Sequence, residues 1–101
     1  MTKGYVVFTE AVHDPAALDA YVGPAGATVV AAGGTALVAG PASEVVEGEW
    51  HGEITVVLEF ESLEAATTWY RSEEYQQLAR HRQAATTSNV AIFAGFEPPE
   101  S

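Results

Sequence analysis

Tyr75 and Arg82 are the residues whose types and spacing most directly suggest chemistry. They lie seven positions apart, so a helix would place both on one face, together with the apolar Leu78 and Ala79. A guanidinium on such a face could clamp a substrate carboxylate or enolate through two parallel hydrogen bonds. It could also pair internally with a carboxylate, or reach solvent along its apolar stem.

Glu59 is the second candidate, because it interrupts an apolar strand predicted over residues 54–60. Alternation puts Ile54, Val56, Leu58 and Phe60 on one face of that strand, and Thr55, Val57 and Glu59 on the other. Burial disfavours the charged form of a carboxylate and suits it to act as a general base. The alternatives are a structural ion pair, with Glu59 or Glu47 as the partner of Arg82, and a polar group at the end of a barrel.

His51 is the strongest candidate among three scattered histidines, as a general base or a ligand contact. It lies between Trp50 and Gly52, whereas His13 and His81 are expected to be exposed. No HxH or HxxxH spacing supports a metal site, although two histidines and a carboxylate could in principle bind iron. No GxGxxG or P-loop supports a nucleotide site. We therefore expect neither a metal nor another cofactor.

Aromatic residues gather near these candidates and suggest a pocket for a small organic molecule. At helical spacing they could equally be core residues, but buried tyrosine hydroxyls need partners. Trp50 follows a glycine turn and is interpreted as a lid or an interface anchor. The predicted ligand-binding residues are Tyr21, Trp50, Trp69, Tyr70 and Tyr75.

The elements that would position these residues follow the order βαββαβ, which is the ferredoxin-like arrangement. Capping residues at Asp14, Ser62 and Ser72 mark three helix starts. Gly23-Pro24 is expected to kink or briefly interrupt the first helix, and Gly33-Gly34 to end it. Residues 44–52 are expected to form an irregular strand or hairpin turning at Gly48. The strands are predicted over residues 4–12, 35–39, 54–60 and 89–96.

The predicted fold class is α+β, with a four-stranded antiparallel sheet and helices on one face. Strands one, three and four are apolar on both faces, unlike a sheet with one face in water. The helices of one chain can cover only one of these faces. A second copy packing sheet against sheet is the simplest cover, so we expect a homodimer.

Composition excludes several classes of protein. The 101 residues are enough for one domain, 48% of them are hydrophobic and none is cysteine, which excludes disulfides and thiol catalysis. A net charge of −10 with only four Lys and Arg disfavours nucleic acid and anionic membranes as partners. No apolar run could span a bilayer and no signal-peptide pattern is present, so we expect a cytoplasmic protein. Abundant Ala, Gly and Thr with little Lys is typical of GC-rich bacteria.

Several segments together resemble domain-of-unknown-function family 1330, within the dimeric α/β-barrel superfamily. They are Tyr21, Gly33-Gly34, Glu47-Gly48 with Trp50, and Glu59 to Tyr75 (EFESLEAATTWYRSEEY) with Arg82 downstream. The resemblance covers residues 4–96, and residues 97–101 are expected to be a polar tail. It implies a ferredoxin-like protomer in a homodimer whose two sheets form a barrel. Relatives in the superfamily include cofactor-independent monooxygenases, heme-handling proteins, lactone isomerases and stress-response barrels, with ligands between sheet and helices.

The leading functional prediction is a protein that binds and converts a small organic molecule by acid–base chemistry. Glu59 or His51 would move a proton, while Arg82 and a tyrosine hydroxyl hold the developing oxyanion. An isomerase, a cyclase or a cofactor-free oxygenase would fit. The alternatives are a non-catalytic ligand-binding or stress-associated dimer, and a structural dimer whose cleft is filled by its own side chains.

Overall fold

A computed structural model describes residues 2–99 of the chain. Its elements are β1 (Gly4–Val12), α1 (Pro15–Ala31), β2 (Thr35–Gly40), β3 (Ile54–Phe60), α2 (Leu63–Arg71), α3 (Glu73–Ala85) and β4 (Thr86–Ala94). The four strands form one antiparallel sheet in the order β2-β3-β1-β4. The predicted α+β class and ferredoxin-like arrangement are confirmed, with the second helical region divided into α2 and α3.

The predicted helix starts are confirmed by their capping hydrogen bonds. The side chains of Asp14, Ser62 and Ser72 each accept a hydrogen bond from the backbone N–H three residues further on, at 3.0–3.2 Å. These bonds satisfy N–H groups that have no partner inside the helix. Gly33 follows α1 with a φ of +79°, a conformation that glycine adopts without steric cost.

Helix α1 runs without a break through Gly23-Pro24, so the expected interruption is wrong, while the kink that was its alternative stays a prediction. A proline ring clashes with the Cβ of the preceding residue, and Gly23 has none. Pro24 also leaves the carbonyl of Ala20 without its usual helical partner. Both Ala20 and Pro24 lie on the exposed side of α1, where water can hydrate that carbonyl.

Two other predicted elements also differ from the structure: β4, at both of its ends, and the segment of residues 44–52. Strand β4 starts at Thr86, three residues before the predicted start, and directly follows α3. The hydroxyl of Thr86 donates to the carbonyl oxygen of Arg82 at 2.8 Å, which stabilises this abrupt change from helix to strand. Residues 44–52 form neither strand nor hairpin, although Gly48 does adopt a positive φ of +74°.

The sheet has a helix-covered face and an open face. The covered face carries the alternate residues of β1 and β3 that point toward the helices, and these include Val6, Phe8, Leu58 and Phe60. The open face carries their neighbours, in a register that aligns Tyr5 with Glu59, Val7 with Val57 and Thr9 with Thr55. The predicted division of β3 into two faces is therefore confirmed.

The two ends of the described chain lie side by side on this sheet. Strand β1 pairs with β4 along its length, from Gly4 opposite Ala94 to Val12 opposite Thr86. Beyond the pair, the N–H of Gly95 donates to the carbonyl oxygen of Lys3 at 2.7 Å. Residues 97–99 of the predicted polar tail have no regular structure, and residues 100 and 101 lie outside the described residues. None of the helices described between residues 2 and 99 is long and apolar enough to cross a bilayer.

Candidate functional site

A cleft of about 280 Å³ lies between α1 and the covered face of the sheet. Small residues on α1 and β2 leave space in the cleft, and larger apolar side chains from β1, β3 and α2 line the rest of it. The lining residues are Phe8, Glu10, Leu18, Tyr21, Val22, Ala25, Gly26, Val29, Ala36, Ala39, Gly40, Ile54, Val56, Leu58 and Trp69. An apolar cleft with a few polar groups is the usual form of a small-molecule site.

Glu10 supplies the only carboxylate among the described lining residues. It follows Val6 and Phe8 on the covered face of β1 and is only 4% exposed. Burial raises the pKa of the Glu10 carboxyl, and the positive charge of Arg82 offsets part of that increase. No enclosed side-chain oxygen or nitrogen within residues 2–99 lacks a hydrogen-bond partner, and the described contacts provide none for this carboxylate. Its oxygens are therefore not fully enclosed, and the cleft that Glu10 lines is the open space beside them.

Tyr21 supplies a hydroxyl to the same lining and connects it to the core. The hydroxyls of Tyr21 and Tyr75 lie 2.7 Å apart, and Arg82 Nε donates to Tyr75 Oη at 3.3 Å. Burial raises the pKa of Tyr21, so its hydroxyl stays protonated at physiological pH. The shared helical face predicted for Tyr75 and Arg82 brings both residues to this chain of hydrogen bonds.

Arg82 is enclosed behind the cleft. Its side chain is 2% exposed, and its guanidinium carbon lies 5.2 Å from the centroid of the Phe8 ring. A cation over an aromatic face is stabilised by the ring quadrupole. Arg82 does not line the cleft, so its guanidinium is not in a position to clamp a ligand carboxylate there.

The predicted aromatic residues of α2 and α3 form one cluster. Trp69 lines the cleft and packs between two other rings. Its ring centroid lies 4.1 Å from that of Tyr75 and 5.4 Å from that of Phe60, on which it stacks. Its indole N–H donates to Thr28 Oγ1 on α1 at 3.0 Å, which ties α2 to α1. Tyr75 is fully buried, while Tyr70 is half-buried beside it and does not line the cleft. Only Trp69 of the three is thus positioned to touch a molecule in the cleft.

The other predicted site residues lie on the open face of the sheet. Glu59 accepts a hydrogen bond from the Tyr5 hydroxyl at 2.9 Å, and His51 Nδ1 lies 2.9 Å from Thr9 Oγ1. Trp50 is more than half exposed and donates its indole N–H to Thr55 Oγ1 at 2.9 Å. These three residues are separated by the sheet from Arg82 and Tyr21. The structure therefore divides the predicted site residues into two groups.

Sequence reasoning missed Glu10, although the alternation of β1 contained the signal. Gly4, Val6, Phe8 and Glu10 are consecutive members of one face, so a buried face ends in a carboxylate. The apolar appearance of both faces of β1 concealed this position.

Gly52 fixes the backbone of Glu10 from the segment before β3. Its φ is +78°, and a Cβ at this position would overlap the carbonyl oxygen of Glu10. The next residue, Glu53, donates its backbone N–H to that same carbonyl oxygen at 2.9 Å. Only glycine lets the segment approach β1 this closely.

The family model that matches the chain is described as Domain of unknown function (DUF1330), and the match covers residues 3–96. No significantly similar sequence was found among curated proteins.

The solved structures similar to this chain share its fold at low sequence identity. A protein of unknown function from Rhodopseudomonas palustris is 20% identical, with a TM-score of 0.76 over 96% of this chain and 85% of that one. SnoaB, a cofactor-independent oxygenase from Streptomyces nogalater, is 15% identical, with a TM-score of 0.66 over 99% and 100%. A dimeric ferredoxin-like protein of unknown function from Thermobifida fusca is 8% identical, with a TM-score of 0.57 over 92% and 91%.

Proposed function

Since this chain belongs to the DUF1330 family, whose model spans its entire sheet and helical layer, we propose that it binds and converts a small organic molecule in the cleft between α1 and the sheet. The observation that carries the proposal is the buried Glu10 carboxylate, which faces an otherwise apolar cleft beside the Tyr21 hydroxyl. Proton-transfer catalysis requires a general base and a hydrogen-bond donor, and this apolar site has both.

The proposed step is removal of an acidic proton from a carbon next to a carbonyl group. Glu10 takes the proton, the C–H electron pair forms the carbon–carbon double bond of an enolate, and the negative charge moves to the carbonyl oxygen. Tyr21 donates a hydrogen bond to that oxygen. Return of the proton to another carbon would complete an isomerisation. Reaction of the enolate with O₂ would be the first step of a cofactor-free oxygenation, the activity by which SnoaB is described.

Binding is tested by filling the cleft from α1. Gly26 lines the cleft, and a Cβ there would meet no atom within 4 Å, whereas Ala27 is exposed on α1 and does not line the cleft. Gly26→Leu should therefore remove any ligand mass that accompanies the gently purified protein in a native mass spectrum, whereas Ala27→Leu should retain it. Equal retention by both variants would show that the ligand lies elsewhere.

Proton transfer is tested by the incorporation of solvent deuterium into 2-tetralone, a two-ring ketone with acidic protons beside its carbonyl, followed by NMR in D₂O. Glu10→Gln should lose the protein-dependent exchange, while Glu59→Gln should keep it because Glu59 lies on the other face of the sheet. If only Glu59→Gln loses the exchange, the general base is Glu59, as the sequence suggested. The same exchange measurement on His51→Gln tests that histidine: loss of exchange would assign it a role, and unchanged exchange would remove it.

A non-catalytic binding protein is the second candidate. The position of Arg82 favours it, because the guanidinium lies close enough to act on the Glu10 carboxylate electrostatically. In that reading the two charges neutralise one another and hold helix α3 on the sheet. Binding that depends on Gly26 without any deuterium exchange would favour this candidate.

We also propose that the open face of the sheet pairs with a second copy of the chain. Val57 lies in the middle of that face, with Val7 opposite it on one side and Val38 on the other. All three valines remain partly or largely exposed, and an apolar row across a sheet is typical of a buried interface. The Thermobifida fusca protein of similar fold is described as dimeric.

Light scattering during gel filtration tests the homodimer. Val57→Glu would place a charge in the centre of the interface and should give monomers. Val30→Glu is the matched control, because Val30 is 75% exposed on α1, away from the open face. A wild-type protein that elutes as a monomer would contradict the pairing.

A further inference from the structure

Three buried side chains form a directed chain of hydrogen bonds that begins behind the cleft and ends in its lining. Arg82 Nε donates to Tyr75 Oη, and Tyr75 Oη lies 2.7 Å from Tyr21 Oη. Arginine is always a donor, since its guanidinium carries no acceptor and does not lose its proton in proteins. The Tyr75 oxygen therefore accepts from Arg82, and its own proton must find another acceptor.

The second bond runs from Tyr75 to Tyr21. Tyr75 is fully buried, and the Tyr21 oxygen is the acceptor that lies within reach of its hydroxyl. The opposite direction would leave the Tyr75 O–H buried and unpaired, at a cost of about 1–3 kcal/mol. The Tyr21 oxygen thus accepts, and its own proton is directed away from Tyr75. Tyr21 lines the cleft, so that proton faces the ligand space.

We propose that Arg82 and Tyr75 are positioning residues that orient and polarise Tyr21 as a hydrogen-bond donor, and that the cleft thereby selects neutral carbonyl compounds over carboxylates. This inference rests on the proposed binding function of the same cleft. Tyr21 offers its proton to a carbonyl oxygen, and Glu10 offers an acceptor to an acidic proton beside that carbonyl. A chain of hydrogen bonds that begins at a cation strengthens the donor at its far end.

A carboxylate ligand is disfavoured by the charges around the cleft. Glu10 is the charged group in its lining, and none of the described lining residues is a Lys, Arg or His. Arg82 does not line the cleft, its guanidinium lies over the Phe8 ring, and its charge already acts on Tyr75 and Glu10. The protein as a whole carries a net charge of −10, which also repels anions.

The volume of the cleft limits the size of the compound. An apolar cavity of about 150 Å³ holds benzene, so a cleft of about 280 Å³ holds roughly two fused rings. The apolar lining provides no further polar partner, so the rings should carry few other polar groups.

Three probes that share one two-ring skeleton test this selectivity. They are tetralin, 2-tetralone and tetrahydro-2-naphthoate, each titrated against the whole protein with tryptophan emission as the readout, since Trp69 lines the cleft. We expect wild-type protein to bind the ketone about five- to tenfold more tightly than the hydrocarbon, the effect of one buried hydrogen bond. The carboxylate should bind more weakly than the hydrocarbon.

Three Tyr→Phe variants separate positioning from structure. Tyr21→Phe should abolish the preference for the ketone, and Tyr75→Phe should reduce it about two- to fivefold while leaving tetralin affinity unchanged. Tyr70→Phe is the matched control, because Tyr70 packs against Tyr75 without lining the cleft. A merely structural role of Tyr75 would weaken both probes equally.

An unchanged preference in Tyr75→Phe, or a carboxylate that binds more tightly than tetralin, would overturn the inference. Probes that bind in a Gly26-dependent manner but with equal affinity for all three compounds would also overturn the inference. They would leave the proposed binding function intact. Selective binding without deuterium exchange would remove the proton-transfer step and retain the inference. If no probe binds and Gly26→Leu has no effect on any ligand, both proposals fail.

Discussion

The close approach of Gly52 to Glu10 makes a quantitative prediction about Gly52→Ala. An alanine at this position must adopt the positive φ of Gly52, which costs an L-residue about 1–2 kcal/mol. It also overlaps the Glu10 carbonyl, so the backbone must move and the hydrogen bond from Glu53 lengthens or breaks. Backbone shifts forced by an added methyl cost about 1–3 kcal/mol, and the hydrogen bond contributes about 0.5–1.5 kcal/mol.

Gly48→Ala isolates the steric part of this effect. Gly48 has nearly the same φ, +74°, but a Cβ there would meet no atom within 4 Å. Both variants therefore carry the same conformational cost and the same reduction of freedom in the unfolded chain. The difference between them should be about 2–4 kcal/mol, all of it caused by contact with β1.

Urea unfolding followed by the emission of the buried Trp69 measures this difference. The slope for a chain of this size is about 1–3 kcal/mol per molar urea, so the midpoint of Gly52→Ala should lie at least about 0.7 M below that of Gly48→Ala. Both must be measured at one protein concentration, since dimerisation would shift the midpoint. Equal midpoints would refute the claim that this glycine is required by close packing rather than by its backbone angle.

Three further changes have expected outcomes. Glu10→Gln should stabilise the fold relative to wild type, and the difference should grow as pH rises above 4.5. The pKa of Glu10 is raised in the folded protein, so the folded carboxyl resists an ionisation that the unfolded chain accepts. Thermal unfolding from pH 4 to 8 measures this, and a difference that stays constant with pH would contradict it. Pro24→Ala should raise the melting temperature, since the helix regains the N–H that can bond to the exposed Ala20 carbonyl; a lower melting temperature would mean that the proline is needed. Thr28→Val should cost about 1–2 kcal/mol in urea unfolding by leaving the Trp69 indole N–H unpaired, whereas an unaffected midpoint would show that water replaces it.

The sequence predicted the fold well because its signals were local. Asp14, Ser62 and Ser72 announce helices through bonds that span three residues, and the alternation of β3 needs only neighbouring positions. Gly23 and Pro24 misled the interpretation because the cost of proline depends on which side of α1 faces water. That side is set by tertiary packing and not by the dipeptide itself.

The site was only half predictable, because its geometry depends on which face of the sheet the helices cover. Sequence reasoning placed Tyr75 and Arg82 together on α3, where the structure finds them, and also offered Glu59 as a partner for Arg82. Alternation placed Glu59 on one face of β3, but it could not tell that the helices cover the other face. Glu10, unlike Glu59, lies on the helix-covered face of the sheet, because it shares a face of β1 with Phe8 and Val6.

The bond between Gly95 and Lys3 has a consequence for how the molecule can be rewired. Because residues 3 and 95 are hydrogen-bonded neighbours, a short flexible linker could join the ends of the chain and let new termini be opened in the exposed residues 41–50. The pairing of β1 with β4, which now spans most of the sequence, would become a local hairpin. The pairing of β2 with β3, which is now local, would become the long-range one, so β1 and β4 should pair before β2 joins the sheet in such a circular permutant.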